Sequence, residues 1–360
     1  MADEEMYGDY QNYFDNGSYS DYRNDSFNYD DYKHMCEKGD VRRFSKYFLP
    51  PFYAVTLIVG LAGNSLVVAI YAYYKRIKSK TDFYIMNMAI ADLLLLVTLP
   101  FWAVYAVHGW VLGTAMCKIC SALLLMNFSA SMLFLACISV DRYFAISKAT
   151  RPPTVGTKGK VACLCVWLAA ILLSVPELVF TSVHHTAIRP LCIPLFPSHM
   201  ARSAKATVQT FEILLAFVVP SLVMLYCYSA VAHAVVKVPN GKKHVALRVL
   251  VAVVGLFFLT QLPYNIIKFC HLLDLLHPLI MDCERSKSID IATQVTESIA
   301  LFHSCLNPIL YAFMGASFKG YILKAVKEYG YHHRQQDRPI ALEHSFHSLS
   351  QSELTSSFTI

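Results

Sequence analysis

The sequence predicts an all-α membrane protein, a seven-transmembrane helix bundle with a short amphipathic eighth helix. Of its 360 residues, 56% are hydrophobic and 16% are charged, which is less charge than a soluble domain of this length carries. Seven apolar segments follow one another, and each is long enough to cross a bilayer at about 1.5 Å of rise per residue. Basic residues concentrate in alternate connections between these segments, as they do in multi-pass membrane proteins.

The seven segments divide the chain into a bundle and two tails. We expect residues 1–46 to form an extracellular acidic tail, 47–313 the bundle, 314–330 the amphipathic helix and 331–360 a cytoplasmic Ser/Thr-rich tail. Several segments contain proline, which a membrane bundle tolerates as a kink because neighbouring groups satisfy the freed carbonyl. The predicted spans are 47–74, 82–107, 117–147, 161–181, 206–236, 245–276 and 289–313.

The distribution of charge predicts the orientation of the bundle. The first, third and fifth connections and the stretch after the seventh span are basic, so they face the cytoplasm. The N-terminus then lies outside a plasma membrane and the C-terminus inside. Residues 1–40 hold eleven Asp/Glu and three Lys/Arg, a net charge of −8, which leaves +14 for the rest of the chain.

The third predicted span has a distinctive residue at each end. Cys117 stands at its outer end, and Asp141-Arg142-Tyr143 stands at its cytoplasmic end. Asp141 and Arg142 form either an interfacial ion pair or a lock in which the arginine exchanges partners when a helix moves. The lock requires partial burial, because an exposed pair contributes little.

Polar residues within the spans mark a candidate central site, since such groups are costly in a membrane. Asp92 stands in the middle of the second span, Asn127 and Ser131 lie one turn apart on the third, and Asn307 is on the seventh. These oxygen donors can hold a small hard cation such as sodium. The alternatives are a protonated Asp92 and a structural hydrogen-bond network without an ion.

A second candidate site lies in the outer half of the bundle. Glu297 stands three turns before Asn307 on the seventh span, and Trp102 and Tyr105 are at comparable depth on the second. A carboxylate facing an outward cavity attracts a cationic group. Packing in the core is the alternative for the two aromatic residues.

The N-terminal tail interleaves acids with tyrosines, among them Tyr22, Tyr29 and Tyr32. Tyrosine beside Asp or Glu is a substrate for sulfation, and an acidic tail attracts a basic protein partner by long-range steering. A solvated tail without a partner is the alternative. Asn16 and Asn24 begin glycosylation sequons on the predicted extracellular side.

Several function classes find no support in the sequence. It contains no nucleophile–base pair, phosphate-binding loop or Cys/His metal spacing, so we expect neither an enzyme nor a nucleic-acid-binding protein. Four cysteines lie in predicted extracellular segments and allow three disulfide pairings. They are Cys36, Cys117, Cys192 and Cys283.

Taken together, these motifs are distributed along the chain with one set in each predicted span, in the order of the spans. From 47 to 329 the chain resembles a rhodopsin-like (class A) G-protein-coupled receptor. The residues that carry this resemblance are Asn64 in Gly63-Asn64-Ser65-Leu66-Val67, Asp92, Cys117, Asp141-Arg142-Tyr143, Trp167, Pro220, Pro263 and Asn307-Pro308-Ile309-Leu310-Tyr311.

Within that class the chain resembles chemokine receptors. This resemblance implies basic chemokine proteins as ligands, and disulfides joining Cys117 to Cys192 and Cys36 to Cys283. It also implies a conformational switch formed by Asp141, Arg142, Tyr143, Asn307, Pro308 and Tyr311. The matching stretches are Thr98-Leu99-Pro100-Phe101-Trp102, His108-Gly109-Trp110, Gln261-Leu262-Pro263-Tyr264-Asn265, and Glu297 before His303-Ser304-Cys305-Leu306-Asn307-Pro308.

The sequence after the Asp-Arg-Tyr motif departs from that of signalling members, which usually continue Leu-Ala-Ile-Val-His-Ala. Here it reads Phe144-Ala145-Ile146-Ser147-Lys148-Ala149, in the segment that meets the G protein in the family. The chain is similar to the atypical, scavenging members of the group in Ile70-Tyr71-Ala72-Tyr73-Tyr74-Lys75 and in the stretches 99–113 and 295–318. This similarity implies uptake of CC chemokine through arrestin and endosomes without productive G-protein signalling.

Arrestin recruitment would follow phosphorylation of the C-terminal tail by receptor kinases. Two alternatives remain: a conventional signalling CC chemokine receptor, and a seven-span transporter or channel, which would show paired charges along a through-path or internal repeats. The candidate phosphorylation sites are Ser345, Ser348, Ser350, Ser352, Thr355, Ser356, Ser357 and Thr359.

Overall fold

The computed structural model describes residues 36–74, 77, 79–147, 155–186, 188–236, 241–277 and 282–314. Residues 1–35 and 315–360 lie outside these ranges. They include the predicted amphipathic helix beyond Met314, most of both predicted tails, and the residues assigned for sulfation, glycosylation and phosphorylation. We call the two ends of the bundle the hairpin end and the Asp141 end, after a β-hairpin and the acidic residue that they hold.

The described residues are mostly helical. The first helix continues into a π-helical turn at Ile70–Tyr74, and another π-helical segment, Ile213–Val218, joins the sixth and seventh helices. The helices are α1 (Gly39–Ala69), α2 (Lys80–Leu96), α3 (Leu99–His108), α4 (Gly113–Ser147), α5 (Gly156–Phe180), α6 (Ala201–Glu212), α7 (Val219–Val236), α8 (Gly241–Leu276), α9 (Cys283–Leu301) and α10 (His303–Met314).

These helices form the predicted spans. Within the described ranges, five helical segments have the length and hydropathy to cross a membrane: Gly39–Tyr73, Lys80–His108, Gly113–Ala145, Gly156–Phe180 and Ser198–His233. They correspond to the first five predicted spans. The sixth span is α8, and the seventh consists of α9 and α10. The prediction of an all-α membrane fold is confirmed.

The third span, α4, occupies the centre of the bundle. In the most apolar 18-residue stretch of this helix, 61% of the residues are buried, against 22–44% in the corresponding stretches of the other four segments. It contributes Phe134 to a core cluster that also includes Met88 and Ala170. At the hairpin end it contributes Cys117 and Cys120 to a second cluster that contains Trp102 and Trp110.

Two spans interrupt their helices near the middle. Between α2 and α3, Thr98 donates its hydroxyl to Leu95 O at 2.7 Å, and Pro100 opens the next helix. Between α9 and α10, a turn at Phe302 precedes Pro308 by six residues. A side-chain hydroxyl that satisfies a backbone carbonyl makes such a break tolerable in a membrane.

The first and seventh spans extend further at the hairpin end than predicted. α1 begins at Gly39 rather than at residue 47, and α9 begins at Cys283 rather than at 289. A Lys38–Asp290 ion pair of 2.6 Å, with both side chains nearly fully buried, holds these extensions together. The Cys36–Cys283 disulfide joins the same two segments. Helix–helix contacts therefore override the polar composition of both extensions.

A two-stranded antiparallel hairpin follows the fourth span. Strands β1 (Thr181–His185) and β2 (Pro190–Pro194) pair with Val183 opposite Cys192. Cys192 is bonded to Cys117, with the Cα atoms 5.7 Å apart. The structure thus contains both disulfides that the family resemblance implies, and the second one fixes the hairpin over the third span.

The first and seventh spans approach each other closely at Gly63. A Cβ atom at this position would lie 2.9 Å from Cβ and Cγ of Pro308. Nearby, Asn64 donates to Ser304 O at 2.9 Å. Real Cβ contacts are longer than this, so the packing requires glycine at residue 63.

Candidate ligand-binding site

Two cavities lie in the half of the bundle nearer the hairpin, separated by Leu124. The smaller cavity, of about 60 Å³, lies among the first, second, third and seventh spans. The larger cavity, of about 90 Å³, lies among the third, fourth, fifth and sixth spans. Each has charged and aromatic side chains in its wall, as expected of a binding pocket.

The smaller cavity contains the three residues predicted for ligand binding in the bundle. Glu297, Trp102 and Tyr105 all line it. The rings of Trp102 and Tyr105 meet edge to face with centroids 5.9 Å apart, and Trp110 packs against both at 5.4 and 5.8 Å. The aromatic residues therefore both pack together and line the wall beside Glu297.

The same cavity has polar residues that the sequence analysis missed. Ser45 on the first span donates to Gln294 on the seventh at 2.7 Å, and both line the cavity. Arg189, just before β2, also lines it and places its guanidinium carbon 5.8 Å from the centre of the Tyr105 ring. Arg189 belongs to a connection without helical periodicity, so only the fold brings it here.

The larger cavity contains a cluster of charges that was also missed. Lys268 on the sixth span pairs with Glu212 on the fifth at 2.8 Å. Glu177 on the fourth accepts a hydrogen bond from Thr181 at 2.5 Å. All three charges stand within spans, so the rule that intramembrane charges mark function would have found them.

The central polar site brings Asn127 and Asn307 to Asp92, which is fully buried. Asn127 donates to Asp92 Oδ1 and Asn307 to Oδ2, each at 2.9 Å. The Oδ1 atom of Asn127 and the hydroxyl of Ser131 are buried without a protein partner. One carboxylate and two unsatisfied oxygens suit a hard cation such as sodium. Among the described residues, no three His, Cys, Asp or Glu side chains group for a transition metal.

Two polar side chains, Gln261 and His303, lie between this centre and the larger cavity. Gln261 lines the cavity, lies 3.2 Å from His303 Nδ1 and donates to Ala300 O at 3.0 Å. On the other side of the ring, His303 Nε2 lies 3.7 Å from Asp92 Oδ1. His303 Nε2 has no hydrogen-bond partner among the described residues, so the imidazole lies between Gln261 and Asp92 without a hydrogen bond to the carboxylate.

At the opposite end, Asp141 bonds to another span rather than to its neighbour in sequence. Thr81 donates its hydroxyl to Asp141 Oδ2 at 2.7 Å. Within the described part of the chain, Arg142 is half-buried and forms no salt bridge with Asp141. The ring of Tyr143 packs against Tyr226 on the fifth span, with centroids 6.1 Å apart. The arrangement corresponds to partial burial of the predicted switch, without the Asp141–Arg142 ion pair.

The remaining predicted switch residues belong to the seventh span. Asn307 bonds to Asp92, and Pro308 packs against Gly63. Tyr311 lies in α10, but its side chain is outside the described residues.

The comparison with known families decides the broad identity of the chain. The sequence model of the family described as "7 transmembrane receptor (rhodopsin family)" matches residues 63–311. The chain belongs to this family. Its members are receptors rather than enzymes, and they are multi-pass proteins of the plasma membrane, as the sequence predicted.

Several relatives of this rhodopsin-family receptor are chemokine receptors. Atypical chemokine receptor 4 from Bos taurus is 55% identical over 337 residues, covering 94% of this chain and 95% of the relative. The Homo sapiens protein of that name shows the same identity and coverage. C-C chemokine receptor type 9 from Homo sapiens is 41% identical over 317 residues, covering 87% and 85%. The receptor therefore belongs to the chemokine receptor group, which decides against a transporter or channel.

Proposed function

We propose that this receptor binds CC chemokines and internalises them through arrestin without productive G-protein signalling. The observation that supports a scavenging role most directly is its 55% identity, over nearly the whole chain, to receptors named atypical chemokine receptor 4. The hairpin end would face the outside of the cell and the Asp141 end the cytoplasm.

Chemokine recognition would use two regions of the receptor. The acidic tail, with Tyr22, Tyr29 and Tyr32 as sulfation sites and glycans on Asn16 and Asn24, attracts the basic face of the folded chemokine. The chemokine N-terminus then enters the smaller cavity. There Glu297 binds the α-amine near the Trp102 and Tyr105 rings, which line the same cavity.

The departure from signalling rests on the segment after the Asp-Arg-Tyr motif. Phe144 is 43% exposed at the Asp141 end, and its ring contacts Tyr143 at 5.3 Å. A bulky aromatic here alters the surface that a G protein would meet. Receptor kinases would phosphorylate the C-terminal tail, from Ser345 to Thr359, and arrestin would then carry the receptor into endosomes.

The central site would hold a sodium ion on Asp92, Asn127, Ser131 and Asn307. The ion would neutralise the buried carboxylate and connect the second, third and seventh spans. Its donors would include the Asp92 carboxylate and the oxygens of Asn127 and Ser131 that are buried without protein partners, while the Asn307 amide holds the carboxylate at Oδ2.

A conventional signalling CC chemokine receptor is the second candidate. The intact Asp141-Arg142-Tyr143 motif and the 41% identity to C-C chemokine receptor type 9 favour it. The two candidates differ in whether chemokine binding activates a G protein.

A panel of CC chemokines tested in parallel separates the candidates. We expect labelled chemokine uptake and arrestin recruitment without inhibition of cyclic AMP.

A triple variant, Phe144→Leu, Ser147→Val and Lys148→His, should gain inhibition of cyclic AMP if these positions block coupling. Truncation after Arg334 should abolish arrestin recruitment; recruitment by the truncated receptor would contradict the role of the tail. Inhibition of cyclic AMP by the unmodified receptor would establish the second candidate instead.

A further inference from the structure

The smaller cavity has opposite charges in its wall, Glu297 on the seventh span and Arg189 on the hairpin. We propose that Arg189 determines ligand specificity by pairing with an acidic side chain within the first few residues of the ligand. The preferred ligand then has an N-terminus with a free α-amine and a nearby Asp or Glu. This inference rests on the proposed function, because it concerns the same cavity.

The backbone of Arg189 is held in place on both sides. Arg189 N donates to Thr186 Oγ1 at 3.2 Å, and the same hydroxyl donates to Arg189 O at 2.8 Å. The next residue, Pro190, accepts a hydrogen bond from Trp110 N at 2.8 Å. Two residues further on, Cys192 is bonded to the third span. A side chain on a fixed backbone loses less entropy when it binds.

Glycine at residue 109 permits this close contact between hairpin and bundle. Gly109 has a φ of 78°, and a Cβ atom there would lie 2.7 Å from Pro190 O and 3.1 Å from Arg189 Cβ. Positive φ and a missing Cβ are both properties that glycine supplies. The loop between the second and third spans is therefore shaped to seat the hairpin at Arg189.

The Arg189 guanidinium contacts an aromatic ring but pairs with no carboxylate of the described residues. It lies over Tyr105, a contact that contributes about 0.5–1 kcal/mol at exposed sites. Among the described residues, no carboxylate forms a salt bridge with Arg189. A partly buried guanidinium gains more from a carboxylate, which it can bind through two parallel hydrogen bonds.

Glu297 does not neutralise the charge of Arg189, although both side chains line the smaller cavity. The two side chains form no salt bridge with each other in the described structure, so the cavity presents separate positive and negative groups. An α-ammonium alone would pair with Glu297 but would be repelled by Arg189. A ligand with an ammonium and a carboxylate a few atoms apart complements both.

A charge-exchange experiment tests this role in the full-length receptor on cells. The probe is one CC chemokine that the cells take up, synthesised with Gly-Asp-Gly, Gly-Asn-Gly or Gly-Lys-Gly as its first three residues. The receptors are the unmodified chain, Arg189→Gln, Arg189→Glu and the control Arg43→Gln. Arg43 is an exposed arginine at the hairpin end of α1 that lines neither cavity.

We expect the unmodified receptor to bind the Asp ligand about tenfold more tightly than the Asn ligand, which corresponds to about 1.4 kcal/mol. Arg189→Gln should remove the preference, Arg189→Glu should favour the Lys ligand, and Arg43→Gln should behave as the unmodified receptor. The reversed preference of Arg189→Glu is a readout that a merely structural role would not produce.

Two results would overturn the proposal. Equal binding of the three ligands by the unmodified receptor would reject it, whether or not the variants fold. An equal loss of affinity for all three ligands in Arg189→Gln would assign Arg189 a packing role against Tyr105. In both cases chemokine binding itself persists, whereas failure of the unmodified receptor to bind any CC chemokine would reject the proposed function.

Discussion

Lys268 and Glu212 join the sixth span to the fifth through a 2.8 Å ion pair in the wall of the larger cavity. Their side chains are only 19% and 11% exposed. Breaking such a pair leaves one largely buried charge without its partner, which costs more than the pair itself contributes.

Substitution of this pair should show that asymmetry. We expect Lys268→Met to destabilise the purified receptor by about 3 kcal/mol, because Glu212 is left unpaired. The double variant Lys268→Met, Glu212→Met should recover most of the loss. Thermal unfolding in detergent measures both, and equal melting temperatures for the single and double variants would contradict the argument.

Glu297→Gln should weaken chemokine binding about tenfold if the carboxylate pairs with the α-amine of the ligand. A chemokine acetylated at its N-terminus should bind the unmodified receptor and Glu297→Gln equally, because the charge partner is removed from the other side. Competition binding on cells is the measurement. Glu284→Gln is the matched control, since Glu284 lies on the same helix with its side chain 80% exposed. Unchanged affinity and uptake in Glu297→Gln would remove Glu297 from the binding site.

The close approach at Gly63 predicts a steric effect. Gly63→Ala should lower the melting temperature, because its Cβ would meet Pro308 at 2.9 Å and overpacking costs about 1–3 kcal/mol. Gly255→Ala is the control, because a Cβ there meets nothing within 4 Å and alanine favours the helix by up to about 1 kcal/mol. Equal stability of the two variants would show that the first and seventh spans separate without cost.

The central site predicts an ion-specific stabilisation. Sodium chloride should raise the melting temperature of the unmodified receptor more than choline chloride of equal ionic strength, because a ligand that binds only the folded state stabilises it. Asp92→Asn should abolish the difference, and Ser131→Ala should reduce it. Equal melting in the two salts would leave Asp92 in a hydrogen-bond network without an ion.

The spans were predictable because the bilayer fixes both the length and the polarity of a crossing helix. Their extensions at the hairpin end were not, since the Lys38–Asp290 pair that stabilises them joins residues more than 250 positions apart. The hairpin also escaped prediction, because its short strands are mostly fixed by Cys192 and the contact with Trp110.

The candidate site was predictable where one residue carried the signal. Glu297 and Asp92 stand out because each places a carboxylate in an apolar segment. Glu212 and Lys268 meet the same criterion and could have been found by it. Arg189 could not, because only the pairing of β1 with β2 turns this connection toward the smaller cavity.

The Cys36–Cys283 bond has a mechanical consequence for the bundle. This bond closes the chain into a covalent ring that runs from just before the first span to the start of the seventh. The buried Lys38–Asp290 ion pair joins the same two segments. A pull on the N-terminal segment is therefore delivered to two helices at once, and the seventh span cannot tilt at the hairpin end without carrying the first span with it.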